Sequence, residues 1–247
     1  MSSDFWVRPM RTPDVVSVER LTAEAFYDLD LRTQRADRPA PEPRSEAKAV
    51  IWRRRMQHML DHDPDGCWVA EDASGMVGAA AALRSDLSWI LATFVVRPGL
   101  QGRGIGKQLL EASMTHGRNC LRGMLASSPD PAAVRRYLLA GFTMHPTMFL
   151  SGKVGRHLLP FVERVREGSQ GDIDLCDSVV DSVRDAAHGV DHEVMTSMYR
   201  LVVVDRSTGS GYAYVEPGGG PTYLPPPTGV PPPTCSGRRW RRASRTR

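Results

Sequence analysis

At 247 residues the chain is long enough for one or two domains, and with 41% apolar and 24% charged residues it has the balance of an ordinary globule rather than a low-complexity polymer. No run of 18 apolar residues occurs, so a membrane-spanning helix is excluded. The formal charge of +4 misleads: six of the 32 basic residues are arginines in the last ten positions, and the remainder sets 26 basic against 28 acidic residues, which excludes a basic nucleic-acid-binding body.

The opening MSSDFWVRPM has no apolar signal core, and Cys67, Cys120, Cys176 and Cys235 form no C-x-x-C. Reduced thiols in a cytoplasmic setting are expected. Phe5–Arg8 reads as a first strand. Thr12-Pro13-Asp14 reads as a helix start, and Val18, Leu21, Ala25 and Leu29 carry the apolar stripe that follows. Leu31–Pro43, with Pro39, Pro41 and Pro43, is expected to be irregular. Ser45–Asp61 reads as a second helix, with Trp52, Met56 and Met59 inward and Arg53-Arg54-Arg55 as its wet face. Cys67–Glu71 and Met76–Arg84 read as strands joined by the turn Asp72-Ala73-Ser74-Gly75, and Leu87–Val96 as the next strand.

That strand runs through Pro98 and Gly99 into Gln101-Gly102-Arg103-Gly104-Ile105-Gly106-Lys107, where an amphipathic helix begins. A strand feeding a glycine loop that opens a helix is a physical anion site. The first helical N–H groups lack internal partners, and glycine lets a phosphate approach the backbone. The spacing excludes a P-loop, because Gln108 follows Lys107, and it does not supply the dinucleotide fingerprint G-x-G-x-x-G. It resembles instead the Gln/Arg-x-x-Gly-x-Gly/Ala pyrophosphate loop of the GNAT acyltransferases, with Gln101, Gly104 and Gly106 at the defining positions. After a short strand (Arg122–Ser127), Ala133, Tyr137, Gly141 and Phe142 are similar to that family's second signature, Asn-x-x-Ala-x-x-x-Tyr-x-x-x-Gly-Phe, with Asp130 where Asn is usual.

The resemblance implies an α/β (α+β) GNAT fold, a mixed central sheet flanked by helices, over residues 1–152, with Thr143–Leu150 as its last strand. It also implies acetyl-CoA (coenzyme A) as cosubstrate, with no metal. Backbone groups of Gly102, Arg103, Gly104, Ile105, Gly106 and Lys107 would take the pyrophosphate. Phe94, Val95 and Val96 would take the pantetheine arm. Tyr137 would protonate the leaving thiolate. The loop Leu31–Pro43 would lie over the acceptor entrance. The base is left open among Asp86, Glu24, Asp28 and ordered water. Cys120 reads as a core thiol.

Residues 153–170 read as a connector, helical in part. From 171 to 224 the chain resembles a partial second GNAT-like unit: Asp172–Tyr199 is helical in type, and Leu201–Tyr214 echoes Trp68–Ala80, with Asp205, Ser207, Gly209 and Gly211 answering Asp72, Ser74, Gly75 and Gly78. It has no second glycine loop, so no second coenzyme is expected. His188 and His192 read as helix-end residues rather than zinc ligands. Residues 225–247, rich in proline and arginine, are expected to be disordered. The expected function is N-acetyl transfer to a primary amine of a small molecule or peptide by direct attack, without nucleic acid or membrane. The alternative is a non-catalytic acyl-CoA-binding or regulatory protein.

Overall fold

The computed structural model describes residues 4–36, 39–147, 155, 157, 164–207, 209–216 and 221–223. They fall into two compact units, one holding the described residues up to Ser128 and the other those from Pro129 onward.

In the first unit a mixed sheet runs in the order β1 (Phe5–Pro9), β2 (Cys67–Asp72), β3 (Gly75–Ser85), β4 (Ser88–Val96), β5 (Arg122–Leu125). It is antiparallel as far as β4, and β5 runs parallel to β4. Helices α1 (Val15–Arg32), α2 (Glu46–His62) and α3 (Ile105–Met114) cover it. The pleat assigns the faces, because successive side chains point oppositely, and a bulge with Val77 as its extra residue, between the pairs Ala70/Gly78 and Glu71/Met76, resets the alternation in β3. Val69, Ala79, Ala81 and Val95 pack with Val18 and Leu21 of α1 and Met56 and Met59 of α2. Ala70, Val77, Ala80, Phe94 and Val96 pack with Ile105 and Leu109 of α3. Alanine and glycine in β3 let α3 come close: a Cβ on Gly78 would stand 2.7 Å from Leu109 Cδ1.

Local chemistry sets the ends of these elements. Asp72 accepts from Ser74 N–H at 2.7 Å and Ser74 Oγ at 2.6 Å, and Gly75 at φ +106° completes the hairpin turn. Ser45 Oγ caps α2 by accepting from Lys48 N–H. Thr12–Asp14 forms a 3-10 turn before α1. There Asp14, not Thr12, makes the stabilising bonds, accepting from Arg11 N–H at 2.8 Å and from both Nη atoms of Arg8.

The second unit contains α4 (Pro131–Leu139), α5 (Ile173–Arg184) and α6 (Asp191–Met198), with a four-stranded antiparallel sheet in the order β6 (Val165–Glu167), β7 (Arg200–Val204), β8 (Gly211–Val215), β9 (Pro221–Tyr223). Cys176, Val179 and Val180 of α5 bury against Leu201, Val203, Tyr212 and Tyr214.

Three local differences from the sequence reading have physical causes. The stretch read as a connector holds β6; three exposed residues show no alternation to find. The helical stretch Asp172–Tyr199 is two helices, broken where Asp185 (φ +51°) and Gly189 (φ +55°) turn left-handed. Residues 143–147 of the expected last strand carry no regular structure around Pro146. Residues 148–150 of that strand and the tail 225–247 lie outside the described residues.

Candidate active site

The site is built on the outer end of β4. Pairing with β3 slips between Ala81, opposite Thr93, and Ala82, opposite Leu91, so Ala92 is the extra residue of a bulge. Pairing with β5 covers Ser88–Leu91 and goes no further, so the two strands part at the bulge. Beyond it, Arg97 N–H donates to Val77 C=O at 2.8 Å, which makes 97/77 a hydrogen-bonded pair. By the two-residue alternation of an antiparallel ladder, 95/79 is the next such pair. The peptide groups of Val95 therefore face β3, while those of Phe94 and Val96 face the edge that β5 leaves. Val95 also turns its side chain to the α1/α2 core, and Phe94 and Val96 turn theirs toward α3.

After β4 the chain turns at once. Pro98 and Gly99 (φ +81°) occupy the centre of a turn closed by Leu100 N–H to Arg97 C=O at 3.1 Å, the arrangement of a type II turn. Gln101 clamps it: its Oε1 accepts from Gly99 N–H at 2.9 Å and its Nε2 donates to Val96 C=O at 3.1 Å. Arg97 ties the turn to the β2–β3 hairpin through Ser74 Oγ and the Met76 carbonyl. Gly102 (φ +83°) and Gly104 (φ +93°) are left-handed, with open space where a Cβ would stand. Gly106 lies against β4, where a Cβ would meet Phe94 at 3.2 Å and Val96 at 3.4 Å.

Gly104 is the N-cap residue of α3 and supplies no side-chain cap. The helix-start N–H groups of Ile105, Gly106 and Lys107 have no intrahelical partner by α-helical geometry, and Gln108 N–H makes the first bond, to Gly104 C=O. By contrast, α2 has Ser45 and α4 has Asp130 as side-chain caps. Arg103 and Lys107 are exposed beside the bare helix end. The nearby Asp72 carboxyl is held below the usual carboxylate range, first by its bonds from Ser74 and further by the Arg97 and Arg103 charges. A positive helix end, flexible donors and two cations converge on one spot, which is the chemistry of anion capture.

Tyr137 lies on α4, in the other compact unit. Asp130 accepts from Ala132 N–H at 2.8 Å and Ala133 N–H at 3.0 Å, so an acid serves where the family pattern has Asn. The far end is a Schellman motif: Phe142 N–H bonds Tyr137 C=O, Gly141 N–H bonds Leu138 C=O, and Gly141 stands at φ +94°. The accompanying contact is Tyr137 against Phe142, ring centroids 6.2 Å apart and edge to face. Tyr-x-x-x-Gly-Phe is thus also a helix-ending device. Burial, and then Asp130, pushes the half-buried Tyr137 phenol up to about 12.

The base candidates differ in surroundings. Asp86 is exposed in the β3–β4 turn at φ +49°, Glu24 is exposed on α1, and Asp28 accepts from Arg32 Nε at 2.9 Å. Cys120 is half-buried, and burial pushes its thiol up. Among the described residues no group of three or more His, Cys, Asp or Glu could hold a metal, and no helix is long and apolar enough to cross a membrane. Sequence reasoning missed Arg97 and the clamping role of Gln101. Both act through backbone carbonyls, which leave no trace in side-chain pattern. It also missed the buried Glu19, which takes Arg44 Nη1 at 2.8 Å, while that guanidinium lies 5.4 Å from the Trp52 ring centre.

Residues 63–144 match the family model described as the acetyltransferase (GNAT) domain. A protein of Pyrococcus horikoshii assigned as an acetyltransferase has a similar fold, with a TM-score of 0.60 at 16% identity over 87% of this chain and 69% of that one. The PaiA N-acetyltransferase of Thermoplasma acidophilum, solved with coenzyme A, gives 0.46 at 17% over 60% and 94%. Diaminobutyrate acetyltransferase EctA of Paenibacillus lautus, solved with its substrate and coenzyme A, gives 0.39 at 20% over 56% and 75%. No curated protein sequence matches significantly.

Proposed function

We propose that this chain, which carries a GNAT acetyltransferase domain over residues 63–144, moves the acetyl group of acetyl-CoA to a primary amine by direct attack. The observation that carries this reading is the uncapped N-terminus of α3 behind a left-handed glycine loop, set against the edge of β4 where β5 has parted from it. N–H groups from Gly102 to Lys107 bind the pyrophosphate. Phe94 and Val96 offer peptide groups to the pantetheine arm as a further strand would, and an N–H there polarises the thioester carbonyl as an oxyanion hole does. Val95 supports the arm from behind, by holding β4 to β3.

The thioester supplies the activated acyl group. The amine nitrogen forms the new C–N bond, the C–S bond breaks, and the amine proton leaves to water or a carboxylate. Tyr137 is the group we assign to the leaving sulfur. With its phenol at about 12 against roughly 8.5 for an ordinary thiol, it stays protonated at neutral pH, and full transfer to the thiolate runs uphill. Tyr137 therefore acts first as a hydrogen-bond donor to sulfur. The acceptor is a small molecule or a peptide amine. A second reading, acyl-CoA binding without turnover, is favoured by one observation: Asp28, a base candidate, is already held by Arg32. Thiol release from acetyl-CoA across an amine library separates the two, since an enzyme releases thiol only with its amine and a sensor releases none.

A further inference from the structure

We infer that residues 165–223 are a second copy of residues 7–93 that stops short of the anion loop, so the chain holds one pyrophosphate site. The copy begins at Val165, inside the stretch that reads as a connector. Val7-Arg8 is followed six residues after the arginine by Asp14, and Val165-Arg166 at the same spacing by Asp172. The two pairs use the same atoms. Arg8 sets Nη1 on Asp14 Oδ2 at 2.7 Å and Nη2 on Oδ1 at 2.9 Å, and Arg166 sets Nη1 on Asp172 Oδ2 at 2.9 Å and Nη2 on Oδ1 at 2.5 Å. Each aspartate also accepts the N–H three residues before it, from Arg11 and from Ser169, both at 2.8 Å, and each closes a 3-10 turn before a helix.

The correspondence continues at a constant offset of 158. Val18 and Cys176 are both fully buried. The next residue is an acid in both, Glu19 and Asp177, and each ties its helix to the segment that follows. Glu19 takes Arg44, and Asp177 takes His188 N–H at 2.8 Å and His192 Nε2 at 2.9 Å. Then 24 residues are missing between first helix and second strand, where the offset falls to 134, and one more in the hairpin brings it to 133 in the third strand. In the sheets, Arg8 stands opposite Val69 and Arg166 opposite Val203, in strands ordered alike. Gly78 and Gly211 open the matching stretch of the third strand.

The last match is the most specific. Pairing of the third and fourth strands slips between Ala81 and Ala82 in the first sheet and between Tyr214 and Val215 in the second, positions 133 apart. Ala92 and Thr222 are the extra residues. A bulge is a positional feature with no reason to recur by chance at one register. Carried on from the bulge at its offset of 130, the positions of Gln101, Gly104 and Gly106 fall on Pro231, Thr234 and Ser236, so the sequence there has neither the glutamine nor the glycines of the first loop. The inference about stoichiometry rests on the coenzyme reading above; the duplication itself does not.

Two experiments on the full chain test it. In the first, Val165–Asp172 is replaced by the sequence of Val7–Asp14 in register with Gly168 kept, because a Cβ there would stand 2.5 Å from Leu201 Cγ, and the same graft displaced by one residue is the control. Hydrogen exchange of Leu201–Val204 and Tyr212–Tyr214 should stay within about threefold of the parent for the in-register graft and rise steeply for the displaced one. An in-register graft that loses protection as fully as the displaced one overturns the copy. In the second, calorimetry with coenzyme A should give one site per chain, weakened at least tenfold in a folded Gly104→Val variant. Two sites, or one site of unchanged affinity in that variant, overturn the inference. A chain that binds no coenzyme A contradicts the proposed function instead, and the graft alone then decides the duplication.

Discussion

Gly104 stands at φ +93°, a conformation that costs an L-residue roughly 1–2 kcal/mol, with nothing within 4 Å of the place its Cβ would occupy. The Gly104→Val protein is therefore expected to fold, since no core atom is displaced, and to lose coenzyme A affinity by at least tenfold, because the turn straightens and the side chain enters the phosphate's approach. Calorimetry on the variant checks this, with circular dichroism to establish that it is folded. Tyr137→Phe keeps the ring that packs on Phe142 and removes only the hydroxyl, so the helix end should lose under about 1 kcal/mol. Turnover should fall at least tenfold with coenzyme affinity nearly constant. If turnover stays within twofold, Tyr137 only ends its helix. These residues were legible because glycine spacing and a tyrosine–glycine–phenylalanine pattern survive in one dimension. Arg97 was not, since any arginine after a strand looks the same until its carbonyl and hydroxyl partners are known.

At the scale of elements, the end of α4 is a test of how motif and structure divide the same residues. Gly141 at φ +94° lets Phe142 N–H reach back to Tyr137 C=O. Gly141→Val should cost about 1–2 kcal/mol of local stability, read as faster amide exchange over Arg135–Leu139. Unchanged exchange would mean the Schellman end does not hold the helix. The strands β1 to β4 and helices α1 to α3 were readable from alternation and from 3.6-residue stripes. What defeated the reading were β6, too short to alternate, and the break between α5 and α6, set by Asp185 in a left-handed turn rather than by a proline. The bulge at Ala92 was invisible too, because an extra residue in a continuous apolar strand changes register without changing composition.

For the whole molecule, the second unit should be the acid-labile half. His188 is buried, and its imidazole is pushed down to about 3, first by burial and then by the charges of Arg184 and His192. Its folded value lies below the unfolded 6.5, so the fold prefers the neutral ring. The stability this contributes is whole above about pH 6.5 and is lost as pH falls toward 3, on the order of 5 kcal/mol over the full range. Near-ultraviolet dichroism from Tyr199, Tyr212 and Tyr214 should fade through that window, and the midpoint should move to lower pH in a folded His188→Gln variant. A midpoint unchanged by the substitution would contradict this. Two units of unequal content also explain what sequence resolved at this scale: the glycine loop marked the first, while the second showed only as a hairpin echo, its Arg166–Asp172 brace hidden in a stretch with no apolar period.

The central claim is that acetyl transfer takes place where the uncapped start of α3 meets the parted edge of β4. It is tested most directly by thiol release from acetyl-CoA across an amine library, with the parent chain and the folded Gly104→Val variant side by side. The account predicts amine-dependent release by the parent and at least a tenfold loss of turnover efficiency in the variant. No release with any amine from a parent that binds acetyl-CoA, or equal release by both proteins, would contradict it.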